Sequence, residues 1–121
     1  MKESSLKTGR IGEAMAREYL KKKGYEIVEQ NYRTRYAEID LVCQQKESLV
    51  LVEVRTKIGE DYGTPEDTIN NKKKRKLHSN ALAYARTVKW KGPCRVDAVC
   101  IVLRLDYSVE RLNHYENIVE N

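Results

Sequence analysis

Carboxylates set inside apolar, strand-like runs constrain this chain more than any other feature: Glu38-Ile39-Asp40-Leu41-Val42, and then Leu49-Val50-Leu51-Val52-Glu53-Val54-Arg55. An ionised acid on an apolar strand carries a large desolvation cost unless a cation, a metal or a hydrogen-bond network compensates it. Side chains alternate along a strand, so Glu38 and Asp40 are expected on one face, and Glu53, Arg55 and Lys57 on one face of the second strand. A hairpin turning through Cys43 to Ser48 brings Asp40 and Glu53 together with Arg55 and Lys57 beside them. Two carboxylates plus a cation suit a divalent ion such as Mg²⁺ and the hydrolysis of phosphodiesters. The same spacing fits cross-strand ion pairs at a sheet edge.

The charge pattern points toward polyanions. The formal net charge is +5, and Lys72-Lys73-Lys74-Arg75-Lys76 by itself supplies that excess. Such a run tracks a phosphate backbone through counterion release, without reading sequence, or serves as a solvated helix face. With 121 residues, 34% charged and 40% hydrophobic, the chain is read as one domain, 1–121, with a core from about 9 to 118. No apolar run reaches the length of a membrane span, and the polar start Met1-Lys2-Glu3-Ser4-Ser5 lacks the apolar core of a secretion signal, so a cytoplasmic location is expected. Cys43, Cys94 and Cys100 are odd in number and lack Cys-x-x-Cys spacing; they are read as reduced, packed thiols.

Periodicity orders the elements. Ile11, Met15 and Tyr19, flanked by Gly12, Ala16 and Leu20, predict a first helix from about Gly9 to Lys23, stopped at Gly24. Glu13 lies at the border of that arc, in one stripe with Ala16 and Leu20. A strand follows over Tyr25 to Arg33, then the two acidic strands. Thr64 and Pro65 are read as the N-cap and first residue of a second helix running to about Val88, with Leu77, Ala81, Tyr84 and Val88 as its core stripe. Arg95 to Leu103 is an apolar strand in which Asp97 is read as a partner for Arg95 or nearby backbone. The tail from Val109 to Val119 is either an edge strand or a short helix. His78 and His114 are isolated and read as structural. The predicted class is an α/β sandwich with a mixed sheet.

In order and spacing, Gly9-Arg10-Ile11-Gly12-Glu13, Asn31-Tyr32-Arg33, Glu38-Ile39-Asp40-Leu41, Val52-Glu53-Val54-Arg55-Thr56-Lys57 and Arg95-Val96-Asp97 resemble the uncharacterised bacterial YraN family. That family is similar to a minimal restriction-endonuclease-like fold, the PD-(D/E)XK nucleases, and to archaeal Holliday-junction resolvases. The resemblance implies a mixed four- or five-stranded sheet flanked by helices. It also implies a Mg²⁺- or Mn²⁺-dependent site in which Asp40, Glu53 and Glu13 serve the metal and Arg55 or Lys57 the phosphate. Nucleic acid, DNA above all and branched or structured DNA in particular, is the implied partner. Lys72 to Lys76, Arg10 and Arg33 are its candidate contacts, and a homodimer is the form that resolvases take.

Two departures from the family pattern stand out. Ala37 replaces a usual glycine before Glu38. Arg55 replaces a usual lysine, and arginine, which keeps its proton and carries a bulkier fork, is not a conservative exchange there. Lys57 lies on the same face one pleat repeat on, roughly 6.6 Å along the strand. The exchange at Arg55 favours an alternative reading, a nuclease-derived module that binds nucleic acid or a protein but no longer cuts.

Overall fold

The computed structural model describes residues 2–119, with side chains from residue 5 onward. Helix α1 (Lys2–Lys22) leads into β1 (Glu26–Arg33), β2 (Glu38–Gln45) and β3 (Ser48–Ile58). A single 3-10 turn (Glu66–Thr68), helix α2 (Asn71–Thr87), β4 (Cys94–Leu103) and β5 (Val109–Tyr115) follow. The strands form one sheet in the order β1-β2-β3-β4-β5, antiparallel except for the β3–β4 pair, which α2 connects as a crossover. The expected α/β sandwich with a mixed sheet is present, and the tail supplies an edge strand.

Each helix covers one face. Ala16 and Leu20 of α1 pack on Leu41, Cys43, Val50, Val52, Val99, Ile101 and Leu103, while Leu77, Ala81 and Tyr84 of α2 pack on Ile39, Val42, Leu49, Leu51 and Val96. Alternation along β3 follows the pleat. In β2 it breaks, because Ile39 faces α2 and Leu41 faces α1, although strict alternation would put both on one side. The residue between them is Asp40.

Several boundaries differ from the sequence reading. Helix α1 begins at Lys2, well before Gly9; its added turns are polar and carry no core stripe that periodicity could detect. Thr64 and Pro65 open the 3-10 turn, not the second helix. Helix α2 is capped by Asn70, whose side chain accepts the Lys73 N–H at 2.8 Å. Val88 ends 44% exposed, beyond the helix. All three cysteines are free, and Cys43 and Cys100 are buried, but Cys94 is exposed at the start of β4. Ala37 needs no glycine conformation: it is absent from the residues with positive φ.

The two ends of the sheet are built differently. Where β4 begins, the fully buried Asp97 accepts from Arg95 Nε at 3.0 Å, the Asn117 N–H at 3.0 Å and the Tyr25 hydroxyl at 3.2 Å. His114 Nε2 lies 2.8 Å from the same carboxylate, and its ring packs edge-on against Tyr19 and Tyr25. Asp97 is thereby held below its ordinary pKa despite burial, its hydrogen bonds to His114, Asn117 and Arg95 outweighing desolvation. This network ties β1, β4 and β5 together and accounts for Asp97 and His114 as structural groups. At the opposite end, where β3 and β4 finish, gather the β1–β2 turn, the loop after β3 and the start of α2. In sheets with parallel pairs this carboxyl end is the usual place for ligands.

Candidate active site

Asp40 occupies the point where β2 leaves β3. The strand ladder runs from Gln45–Ser48 to Leu41–Val52 and stops. Beyond it the Asp40 carboxylate accepts the Val54 N–H at 2.8 Å, a bond a neighbouring strand's carbonyl would otherwise make. Asp40 is also hydrogen-bonded to Glu53. Burial above all, then the negative charges of Glu53 and Glu13, push its pKa up to about 8, against the smaller opposing effect of the Val54 bond. The hairpin register read from sequence thus brings the two acids together.

Glu53 is buried on the α2 face of β3, beside Leu51, Leu77 and Val96. Its Oε2 receives Arg55 through Nε at 2.9 Å and Nη2 at 2.7 Å, and Lys73 Nζ stands 3.5 Å away. A buried carboxylate in such surroundings requires paired cations. Residues two apart on a strand share a face, which explains the Arg55 contact. Lys73 arrives from the first turn of α2, whose N-cap is Asn70.

Glu13 is delivered by a close helix–strand approach. A Cβ added to Gly12 would lie 1.8 Å from Thr56 Oγ1 and 2.7 Å from Thr56 Cβ, so α1 sits on β3 at a distance only glycine permits. The Thr56 hydroxyl is buried there without a hydrogen-bond partner. Glu13 Oε1 accepts from Asn31 Nδ2 at 2.9 Å, and the same amide reaches Glu38 Oε1 at 3.2 Å. Asn31, which takes a positive φ of 50°, bridges two acids that would otherwise repel; residue type and its place before Tyr32-Arg33 were the only hints of that role.

The remaining candidates scatter around this end. Arg33 Nη2 stands 3.6 Å from Glu38 Oε2 and is largely exposed; Arg10 is exposed on α1. Lys57 turns to the loop after β3, near Gly63 and Asp67, rather than toward Glu53. The basic run divides by helical angle: Lys73 meets Glu53, Lys74 lies partly buried beside Ile118, and Lys72, Arg75 and Lys76 face solvent.

Among the described residues, no group of three or more His, Cys, Asp and Glu side chains is gathered for a metal ion. The acids at this end form a pair, Asp40 and Glu53, with the Glu13 carboxylate drawn to Asn31. The donor chemistry fits a hard divalent cation: two carboxylates, and the Val54 carbonyl, which leaves β3 on the same edge as the N–H that Asp40 accepts. The burial and, after it, the neighbouring negative charges that raise the pKa of Asp40 are offset by a proton or by a divalent ion through the same electrostatics.

Fold and site together define an α/β domain with an acid pair, Glu53 buried and Asp40 half-buried, midway along β3 where β2 leaves it. Residues 12–101 match the sequence profile of the uncharacterised protein family UPF0102, and the chain belongs to that family, the YraN family of the sequence resemblance. A UPF0102 protein of Pelotomaculum thermopropionicum is 39% identical over 110 residues, 90% of this chain and 92% of that protein. Another, of Thermodesulfovibrio yellowstonii, is 34% identical over 112 residues, covering 93% and 95%. A third, of Persephonella marina, is 43% identical over 96 residues, covering 78% and 82%. No helix among the described residues is long and apolar enough to cross a membrane.

Proposed function

We propose that the protein is a Mg²⁺- or Mn²⁺-dependent nuclease of the PD-(D/E)XK type that hydrolyses DNA phosphodiesters, with structured or branched DNA as its substrate. The observation that carries this reading is the pairing of half-buried Asp40 with buried Glu53 where β2 leaves β3, which raises the proton affinity of Asp40. Asp40, Glu53 and the Val54 carbonyl would hold the ion, with Glu13 as a further oxygen source. When bound, such an ion polarises a water and offsets charge on the phosphate.

The chain's own groups supply the rest. Asp40 must lose its proton to serve, and Lys73 pairs with Glu53 and orients it. Arg55, 31% exposed at its side chain, exchanges its carboxylate partner for a phosphate oxygen as water adds to phosphorus and the P–O bond to the leaving oxygen breaks. Lys72, Arg75 and Lys76 hold the backbone, with Arg10 and Arg33 on the far side.

A second reading has its own observation. Arg55 and Lys73 already neutralise Glu53, as in a domain that binds nucleic acid without cutting it. Cleavage of labelled single-stranded, duplex, flap and four-way DNA with Mg²⁺ or Mn²⁺, wild type beside Asp40→Asn, separates the two. Metal-dependent cutting lost in the variant supports the nuclease; binding without cutting in both supports the module.

A further inference from the structure

A groove of about 370 Å³ lies at the end of β3, four residues beyond Glu53, and is lined by Ser5, Thr56, Lys57, Gly59, Tyr62 and Gly63. Lys57 supplies an ammonium whose charge acts on Asp67, a carboxylate that also accepts the Thr64 N–H at 3.0 Å. Tyr62 stands 98% exposed on the loop that rims the groove. A large aromatic ring held out in water on an ordered loop contributes nothing to the core and is suited to stacking. That loop is anchored: Arg111 of β5 pairs with Glu60 at 3.1 Å and with Glu66 at 2.8 Å, and the Tyr115 hydroxyl donates to Glu66 at 2.7 Å. Gly59 and Gly63 turn it with φ of 69° and 109°.

We propose that this groove is a subsite for a nucleotide flanking the one that is cut, in which Tyr62 stacks an unpaired base and Lys57 holds its phosphate. This rests on the nuclease reading above and narrows its substrate to DNA with unstacked bases beside the scissile bond. From Glu53 to Lys57 the strand advances about 13 Å, a span of only a few nucleotides. Bases inside a duplex are stacked on each other and present no face to Tyr62, whereas single-stranded or branch-point bases do. Lys57 thereby acts on the substrate at a distance from the carboxylates, leaving Arg55 as the cation at the site.

The test is equilibrium binding of labelled oligothymidylate and of a labelled duplex, in Ca²⁺ to suppress cutting, with wild type, Tyr62→Ala, Tyr62→Phe and Lys57→Ala. Because Tyr62 is exposed, its replacement leaves folding intact. Tyr62→Ala weakens oligothymidylate binding by about five- to 150-fold, the range for losing one stacked base, while duplex affinity is unchanged and Tyr62→Phe restores binding. Lys57→Ala lowers the salt slope for the single strand by about 0.7. Equal single-strand affinity in Tyr62→Ala and wild type, or equal losses on both DNAs, overturns the subsite while leaving the nuclease reading in place. A wild type that binds neither DNA overturns both.

Discussion

Asp40 accepts the Val54 N–H at 2.8 Å, so a side chain completes the hydrogen bonding of β3 where β2 turns away. The same geometry that satisfies the backbone holds half-buried Asp40 against Glu53, which makes the acid a candidate site and a liability together.

The liability is measurable. Asp40 is protonated up to about pH 8 in the fold and only to about pH 4 in the unfolded chain. The folded state therefore binds more protons across that window, and stability falls as pH rises through it, by at most about 1.4 kcal/mol per pH unit. Asp40→Asn keeps the acceptor for Val54 and donates to Glu53, so it is expected to be more stable than wild type near neutral pH and to lose this slope. Urea midpoints measured from about pH 5 to pH 9 check it, and an unchanged slope would show that Asp40 is not the buried proton acceptor. If the proposed site holds a divalent ion, added Mg²⁺ is expected to raise the urea midpoint of wild type but not of the variant.

Arg55 holds Glu53 in a buried pair. Arg55→Ala leaves that carboxylate with Lys73 alone and is expected to cost roughly 2–4 kcal/mol by thermal or urea unfolding. Arg55→Lys preserves the charge but loses the doubled contact; it costs less and raises cleavage above wild type, because a shorter, single-point cation releases Glu53 more readily. Lower cleavage in Arg55→Lys, with cutting lost in Lys57→Ala, would place the essential cation at Lys57.

The cations of α2 are not equivalent. Lys72→Gln and Lys76→Gln, both exposed, are expected to reduce the salt slope of duplex binding by about 0.9 each while leaving the melting temperature unchanged. Lys73→Gln lowers stability as well, since Lys73 compensates Glu53. Identical behaviour of all three variants would refute the division of the helix into a site face and a backbone face.

Gly12 fixes how closely α1 rides on β3. Gly12→Ala meets Thr56 Oγ1 at 1.8 Å, and the overpacking is expected to cost about 2 kcal/mol or more, beyond the gain of at most about 1 kcal/mol in helix propensity. Adding Thr56→Ala removes the Oγ1 and the methyl but leaves a Cβ at 2.7 Å, so the double variant recovers only part of the loss. Calorimetric unfolding of the four proteins in the cycle measures the coupling.

Local pattern was enough for much of this. The apolar arc around Ala16 and Leu20, the alternating and continuous apolar runs of β2, β3 and β4, and a hairpin joining β2 to β3 all follow from periodicity, and with them the meeting of Asp40 and Glu53; the turn itself is Lys46-Glu47, shorter than the Cys43 to Ser48 connection read from sequence, because Cys43 to Gln45 stay paired in β2. The start of α2 was missed because Thr64-Pro65 and Asn70 both carry capping chemistry, and only the length of loop needed to reach over β3 selects between them. The early turns of α1 were missed because polar helix has no stripe to read.

The sequence by itself determined which strands carry acids among apolar residues, since that is a property of residue type and neighbours; the structure decided their burial, leaving Glu38 exposed, Asp40 half-buried and Glu53 and Asp97 buried. Which cation answers which acid was decided by the tertiary structure alone. Lys73 reaches Glu53, Asn31 bridges Glu13 and Glu38, and Lys57 turns to the Tyr62 groove. Those pairings depend on how far α1 and α2 sit from the sheet and where the loops return, and local pattern carries no information about such distances.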